Sequence, residues 1–347
     1  MQFHHHFRSL FVLLLTAFTL TSLGLTSVSP ALARDNYPVC QGSNMIEELQ
    51  VLEPKRYEKL QRLAKAEAND NGILWRITGE DEKVSYLFGT FHSTDPRITK
   101  LNTDTKAALT DAQTVAVEVS NLSPKTMQSY MQQNPGVFFS IKGPKLNEYL
   151  SQEDYEAVSK VAIRQGMPKH MIPLLKPWFA NISYFQVPAC EAFRMGKGLS
   201  ALDQQIIQQA KDSGKRLVGL ETIHDQFSAF DAIPLRHQVT LLQDGIHNLP
   251  RINDFYITAI ALYHKRELGM LIPLSIAYGR DQIKTAAAFV EFLDIMVVKR
   301  NKQMFENSLP LVNKGGAFIA VGALHLIGRD GLVAAYRQAG FNVEKVN

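Results

Sequence analysis

Residues Leu87-Phe88-Gly89-Thr90-Phe91-His92 form the end of an apolar strand pattern that runs directly into Gly-x-x-His. The same combination returns near the C-terminus as Ala320-Val321-Gly322-Ala323-Leu324-His325. Glycine permits a turn or the close approach of another group, and each histidine is then displayed at the carboxyl end of its strand. Ligands of open α/β sheets bind at that edge. The pair therefore predicts a site in which two imidazoles and nearby carboxylates share one metal ion, although half-buried, hydrogen-bonded histidines are the alternative.

Further strand and helix patterns surround these two segments. Apolar runs rich in β-branched or aromatic residues predict strands at 73–77, 84–88, 114–119, 216–220, 317–321 and 341–346. Helical periodicity covers 104–112, 151–166, 202–212, 234–248, 251–269, 281–308 and 331–339. Ser200 and Asp203 have the spacing of a capping box before the helix at 202–212. Strands near both ends and a mostly helical middle predict an α/β fold with a helical insertion from about residue 124 to 310.

The first 33 residues have the layout of a secretory signal peptide. Arg8 gives a weakly basic start, Leu10 to Leu25 are mostly apolar, and Ala31 and Ala33 place small residues before a cleavage point. An uncleaved N-terminal anchor is the alternative. Cleavage predicts a periplasmic or secreted protein that begins near Arg34, and no second long apolar stretch predicts a transmembrane segment after it.

Composition and cysteine content limit the remaining classes. Residues 34–347 contain no repeat or low-complexity linker, which predicts a single domain. A net charge of +4 without Lys/Arg runs argues against a nucleic-acid partner. The two cysteines, Cys40 and Cys190, form a disulfide in an oxidising compartment or remain two separate thiols, and the sequence leaves both possibilities open.

Two glutamates and an arginine are candidates to complete the site. Glu118 interrupts the apolar strand at 114–119, so it either faces solvent or pairs with a cation or metal. Glu221 follows another strand, and His224 lies three residues later; they are a rival ligand pair or an ordinary acidic helix start. Arg300 either lies on a solvated helix face or holds a substrate carboxylate or oxyanion.

Together these features resemble the TraB/GumN family, which includes the Tiki proteins. The resemblance extends from about residue 73 to 346 and rests on the order and spacing of several motifs. These are Gly89-Thr90-Phe91-His92, Glu118, Leu202-Asp203, Gly219-Leu220-Glu221-Thr222 with Gln226, Arg300-Asn301 with Met304, Gly322-Ala323-Leu324-His325-Leu326, and the glycine-rich tail from Gly328 to Val343.

The resemblance implies two related βα halves around a central sheet, each contributing one Gly-x-x-His. Tiki proteins are described as metal-dependent proteases that use Mn²⁺ or Co²⁺ and need the paired histidines and a glutamate. Carried over, these residues are His92, His325 and Glu118, with Glu221 as the second acidic candidate. His224 lies outside the family pattern.

We therefore expect an exported metal-dependent hydrolase that acts on a peptide or protein substrate. His92, His325 and Glu118 are the expected metal ligands, and Glu118, Glu221 and Arg300 the expected catalytic residues. Because histidine and carboxylate ligands suit several ions, Mn²⁺, Co²⁺ and Zn²⁺ all remain candidates. The alternative is a non-catalytic periplasmic protein that binds a peptide or a metal-bearing ligand.

Overall fold

A computed structural model describes residues 37–346, so the predicted signal peptide at 1–33 lies outside the described residues. The chain folds around one six-stranded sheet. Its strands are β1 Leu74–Thr78, β2 Val84–Thr90, β3 Thr114–Val117, β4 Arg216–Gly219, β5 Ala317–Gly322 and β6 Asn342–Lys345. All six predicted strands are confirmed, but β3 and β4 end before the predicted Val119 and Leu220.

Strand order places the two Gly-x-x-His segments side by side. The order is β4-β3-β5-β2-β1-β6, in which β4, β3, β5 and β2 are mutually parallel and β1 is antiparallel to β2 and β6. In the β2–β5 pair, Gly89 lies opposite Val321 and Thr90 opposite Gly322. The carboxyl ends of all four parallel strands therefore meet at one edge of the sheet.

Helices connect the strands and cover both faces of the sheet. In the first part of the chain they are α1 Met45–Leu52, α2 Pro54–Lys65, α3 Pro96–Thr99, α4 Thr103–Asp111, α5 Pro124–Gln133, α6 Pro135–Phe138, α7 Leu146–Tyr149, α8 Gln152–Arg164, α9 Pro177–Tyr184, α10 Ala189–Gly196 and α11 Leu202–Asp212. After β4 follow α12 Ile223–Ala232, α13 Leu235–Asn248, α14 Ile252–Lys265, α15 Leu271–Ala277, α16 Gln282–Leu293, α17 Lys299–Lys314 and α18 Leu332–Gln338.

Alternation along the central strands produces two hydrophobic layers. Phe88 and Phe318 point to the face covered by α4, α11 and α14. Their neighbours Leu87 and Ile319 point to the opposite face, which α17 and α18 cover. Because successive strand side chains alternate, a strand covered on both faces is continuously apolar, as the sequence of β5 shows.

A separate aromatic cluster forms the core of the helical region. Phe138, Trp178 and Phe227 pack together there, and the rings of Trp178 and Phe230 stack with centroids 5.2 Å apart. Since β4 lies within the predicted insertion, the helical residues form two stretches, one before β4 and one between β4 and β5. Helix α12 belongs to both regions, because Phe227 packs in this cluster while Gln226 reaches the edge of the sheet.

Two local predictions differ from the structure. The predicted capping box at Ser200 is wrong. The N-cap of α11 is Ala201, whose side chain has no polar atom, and Asp203 binds Thr90 and His92 at the sheet edge instead. The predicted helix at 281–308 is a longer run in which a π-helical turn, Asp294–Val298, separates α16 from α17.

Two further findings concern the chain outside the sheet. Cys40 and Cys190 form a disulfide, which decides the alternative that the sequence left open. Between residues 37 and 346, each helix is too short or too polar to cross a bilayer.

Candidate functional site

Four predicted site residues follow the four parallel strands at the same edge of the sheet. His92 follows β2, Glu118 follows β3, Glu221 follows β4 and His325 follows β5. Gly322 lies beside three of them: a Cβ atom on it would lie 3.1 Å from Glu118 Oε1, 3.5 Å from His325 Cδ2 and 3.8 Å from His92 Nε2. The absence of a side chain at position 322 thus leaves a small cradle between the two imidazoles and one carboxylate.

Arg300 joins the two glutamates beneath this cradle. Its Nη2 donates to Glu118 Oε2 at 2.7 Å and also to Glu221 Oε1, while Nε donates to Glu221 Oε2 at 3.0 Å. All three residues are buried. The third nitrogen, Nη1, donates to the carbonyl of Met296 in the π-helical turn at 2.9 Å. The solvated helix face, one of the two alternatives for Arg300, is therefore wrong, since its guanidinium is enclosed by protein acceptors.

The remaining oxygen of Glu118 faces the cradle. Oε1 accepts the backbone N–H of Gly322 at 2.6 Å and lies 3.9 Å from Nε2 of His325. Burial opposes ionisation, but the charges of His325, Arg300 and His92 with the Gly322 N–H hold the pKa of Glu118 at about 2. Of the three charged groups, Arg300 is the one that stays charged over the whole accessible pH range. Glu118 is therefore a carboxylate at neutral pH.

Glu221 has a different environment although it binds the same guanidinium. Its side chain has no exposed surface. Burial raises its pKa, and the hydrogen bonds and charge of Arg300 act in the opposite direction. Both its oxygens accept from Arg300, so the carboxylate of Glu221 is directed at the guanidinium.

His325 is buried and held in one tautomer by Asn301. The amide nitrogen of Asn301 donates to the carbonyls of Asp330 and His325, so its Oδ1 must accept from His325 Nδ1, 2.7 Å away. Nε2 then carries the lone pair and points toward Glu118. Burial lowers the pKa of His325 to about 4, so the ring is neutral at pH 7.

His92 is the exposed partner, and Asp203 holds it. Asp203 Oδ2 lies 2.6 Å from His92 Nδ1, and its other oxygen accepts the hydroxyl of Thr90. The Asp203 carboxylate raises the pKa of His92 to about 9 against the effect of desolvation. Since 64% of the imidazole side chain is exposed, solvent weakens the energy of this ion pair.

Two important partners were not chosen as site residues from the sequence. Asp203 and Asn301 stood in the family motifs, and each orients one histidine. The sequence spacing between these residues and the histidines does not predict the contacts, because the partners are distant in the chain and meet only in the folded protein. His224 does not join the cluster; its Nδ1 lies 2.9 Å from the hydroxyl of Tyr130.

The donor atoms have the chemistry of a metal site, but their arrangement does not confirm one. Each histidine keeps Nε2 free while Nδ1 binds an oxygen acceptor, as metal-ligating histidines do. Glu118 supplies one oxygen on the same side. Nevertheless, among residues 37–346 no group of three or more His, Cys, Asp or Glu side chains is placed to hold an ion.

Comparison with known proteins identifies the family of this fold. A sequence model of the TraB/PrgY/gumN family matches residues 73–345, which include the whole sheet and every residue of the cradle. The chain belongs to the TraB/PrgY/gumN family. The expected resemblance is therefore confirmed.

One curated relative and the solved structures complete the comparison. Metalloprotease TIKI2 of Xenopus tropicalis is 22% identical to this TraB/PrgY/gumN member over 328 residues, which cover 81% of this chain. The match spans 61% of that relative's length. No solved structure matches the chain.

Proposed function

We propose that this protein is an exported metal-dependent hydrolase that cleaves peptide bonds. The observation that carries the proposal is the cradle at Gly322, which brings two free imidazole nitrogens and one carboxylate oxygen together. Similarity to a protein named a metalloprotease supports the same chemistry. The proposed ligands are Nε2 of His92, Nε2 of His325 and Oε1 of Glu118.

The chemistry of the cradle residues suits a divalent ion in two respects. Neutral imidazoles and a carboxylate are ligands for Mn²⁺, Co²⁺ and Zn²⁺ alike. Asn301 fixes the tautomer that leaves Nε2 of His325 available, and Asp203 binds Nδ1 of His92, so that Nε2 of His92 would become available when a metal ion displaces its proton. A divalent ion held by these residues would supply Lewis-acid chemistry for a scissile carbonyl and its attacking water.

The buried charges are assigned positioning roles. Glu221 and Arg300, expected from the sequence to be catalytic, bind each other with all but one of their polar side-chain groups. Arg300 keeps Glu118 ionised and fixes its Oε2, so that Oε1 is directed at the cradle. Glu221 in turn holds the guanidinium in place. Outer partners of this kind affect affinity or activity by roughly 10- to 100-fold.

Export is the second part of the proposal. The Cys40–Cys190 disulfide supports it, because structural disulfides persist mainly in oxidising compartments. The predicted signal peptide at 1–33 provides the route, and the working domain is proposed to be a single unit from residue 34. A peptide or protein substrate would then be met outside the cytoplasm.

Loss of either histidine tests the proposal. We expect His92→Ala and His325→Ala to lose bound metal, and to lose more peptide cleavage than the roughly 10- to 100-fold typical of an outer partner. Metal-stripped protein is reloaded with Mn²⁺, Co²⁺ or Zn²⁺ and incubated with a peptide library, and mass spectrometry counts new termini.

The control variant is His224→Ala, which removes an exposed histidine outside the cradle. It should retain metal and cleavage. Cleavage by His92→Ala at the wild-type rate would sink the hydrolase proposal. If the wild-type protein bound peptides but left them intact with each of the three metals, a binding protein without turnover would be favoured.

A further inference from the structure

The loop that follows His92 is held by two buried side chains from one turn of α10. Glu191 and Arg194 lie three residues apart on this helix, and each has only 2% of its surface exposed. Thr94, two residues after His92, is equally buried. The two charged groups therefore meet the loop in a place that water does not reach.

Together Glu191 and Arg194 bind every polar group of Thr94. Its backbone N–H and its hydroxyl donate to the two oxygens of Glu191, the hydroxyl at 2.8 Å. Nε of Arg194 donates to the same hydroxyl at 3.0 Å, and Nη2 donates to the Thr94 carbonyl at 2.9 Å. Two side chains thus hold the peptide units on both sides of Thr94 together with its hydroxyl.

Stability alone does not account for such a pair. Burying two charges costs desolvation energy, and apolar side chains of similar volume are often as stabilising or more so. A charge-assisted, two-pronged contact instead gives geometric precision. The pattern is therefore best explained by a need to place the loop accurately.

Helix α10 is itself fixed to the start of the described chain. Cys190 lies beside Glu191 and is joined by the disulfide to Cys40. Arg97, on the far side of the loop, donates to the carbonyl of Cys40 at 3.2 Å. Arg194 also donates to the carbonyl of Tyr37 at 3.1 Å. The loop, α10 and the segment before α1 form one connected support.

We propose that Glu191 and Arg194 are positioning residues that set the place of His92 in the site by clamping Thr94. This proposal rests on the function proposed above, in which His92 contributes its Nε2 to the Gly322 cradle. Asp203 orients the imidazole ring itself, whereas the Glu191–Arg194 pair fixes the backbone that carries it. The Cys40–Cys190 disulfide is the outer anchor of that pair.

The test uses Glu191→Gln, Arg194→Lys and Thr94→Val, with Thr94→Ser as the conservative variant that keeps the hydroxyl. The ¹⁵N signals of the imidazole rings are recorded on metal-free protein at one pH, and those of His92 are assigned by their loss in His92→Gln. We expect the first three variants to shift or broaden the His92 signals while those of His325 stay in place. Thr94→Ser should restore the wild-type spectrum.

Asp154→Asn is the matched control, because Asp154 is a buried carboxylate paired with Arg280, away from the cradle. It should leave the His92 signals unchanged. On a peptide substrate, kcat of the clamp variants should fall by about 10- to 100-fold with KM nearly constant, as expected for a displacement of about 1 Å.

Unchanged His92 signals in folded Glu191→Gln and Thr94→Val would overturn the proposal, as would an equal change in Asp154→Asn. Thr94→Val decides the matter if Glu191→Gln fails to fold. Because the spectra need neither metal nor turnover, they remain decisive if wild-type protein cleaves no peptide.

Discussion

The two Gly-x-x-His segments leave neighbouring strands in the same direction, yet their histidines have opposite environments. His92 is mostly exposed and paired with Asp203, which raises its pKa to about 9. His325 is buried and paired with a neutral amide, and its pKa is lowered to about 4. The same motif thus gives two rings of different charge, because Asp203 places a negative charge beside His92, whereas burial disfavours the charged form of His325.

The difference teaches which part of the site the motif controls. Gly-x-x-His determines where each imidazole emerges, since both follow a parallel strand of one sheet. Asp203 on α11 favours the protonated form of His92. Asn301 on α17 fixes the tautomer of His325, and burial keeps that ring neutral. In metal-free protein at neutral pH, the His325 ring can bind a ligand through Nε2 directly. The His92 ring must first lose its proton.

Replacement of Arg300, which pairs with the carboxylate beside both histidines, should give the largest loss of stability. Arg300→Met leaves the buried carboxylates of Glu118 and Glu221 without their cation, and breaking a buried pair typically costs about 3–5 kcal/mol. The charge of Arg300 also helps to lower the pKa of both histidines, so its loss should raise both pKa values. Urea unfolding of metal-free protein at pH 7 measures the free energy change.

Lys299→Met is the control for this prediction. Lys299 is the neighbouring cation in the chain, and it makes an exposed pair with Asp294. We expect little change in its unfolding free energy. Adding Glu221→Gln to Arg300→Met should recover part of the loss, and a loss below about 1 kcal/mol for Arg300→Met alone would show that the cluster is not held by this charge.

The pH dependence of stability separates the two histidines. The pKa of His325 is depressed in the folded state, so its contribution is complete above about pH 6.5 and is lost as the pH falls toward about 4. The full difference is on the order of 3 kcal/mol. The pKa of His92 is raised, so its contribution is complete below about pH 6.5 and is lost as the pH rises through about 9.

Unfolding free energies of metal-free protein, measured between pH 4 and 10, check both effects. The acid limb is the fall in stability below about pH 6.5, and the alkaline limb is the fall as the pH rises through about 9. His325→Gln should flatten the acid limb alone. Asp203→Asn should flatten the alkaline limb alone, and by less than about 1 kcal/mol, because the His92 pair is exposed to solvent. Wild-type and His325→Gln curves that stay parallel below pH 6.5 would contradict the asymmetry.

The fold was largely predictable because its signal is local. Hydrophobic runs located each of the six strands, and the parallel strand ends then brought His92, Glu118, Glu221 and His325 to one edge. The roles of Arg300 and Asp203 were not predictable from periodicity. Arg300 follows a π-helical turn and Asp203 sits where a cap was expected, and both side chains are used across the fold rather than within their own helices.

The glycines of the two motifs provide the smallest and most specific test. A Cβ on Gly89 would lie 3.0 Å from the backbone of Ala323 and 3.1 Å from its side chain, so the turn after β5 has no room for it. Gly89→Ala should therefore lower the unfolding free energy by about 1–3 kcal/mol through overpacking. Gly322 has φ −52° and ψ 137°, which any L-residue adopts, and its neighbours are side chains of the cradle.

Gly322→Ala should accordingly change stability by less than about 1 kcal/mol, because reduced freedom of the unfolded chain offsets the tight contacts. It should instead reduce metal binding and peptide cleavage, since the new methyl group occupies the space between the donors. Gly136→Ala, where the added methyl meets no atom within 4 Å, is the control for both measurements. Two results together would contradict this prediction: a loss of stability in Gly322→Ala as large as that in Gly89→Ala, and unchanged metal binding. The two glycines would then have the same structural role, and the space beside Gly322 would not be needed for metal binding.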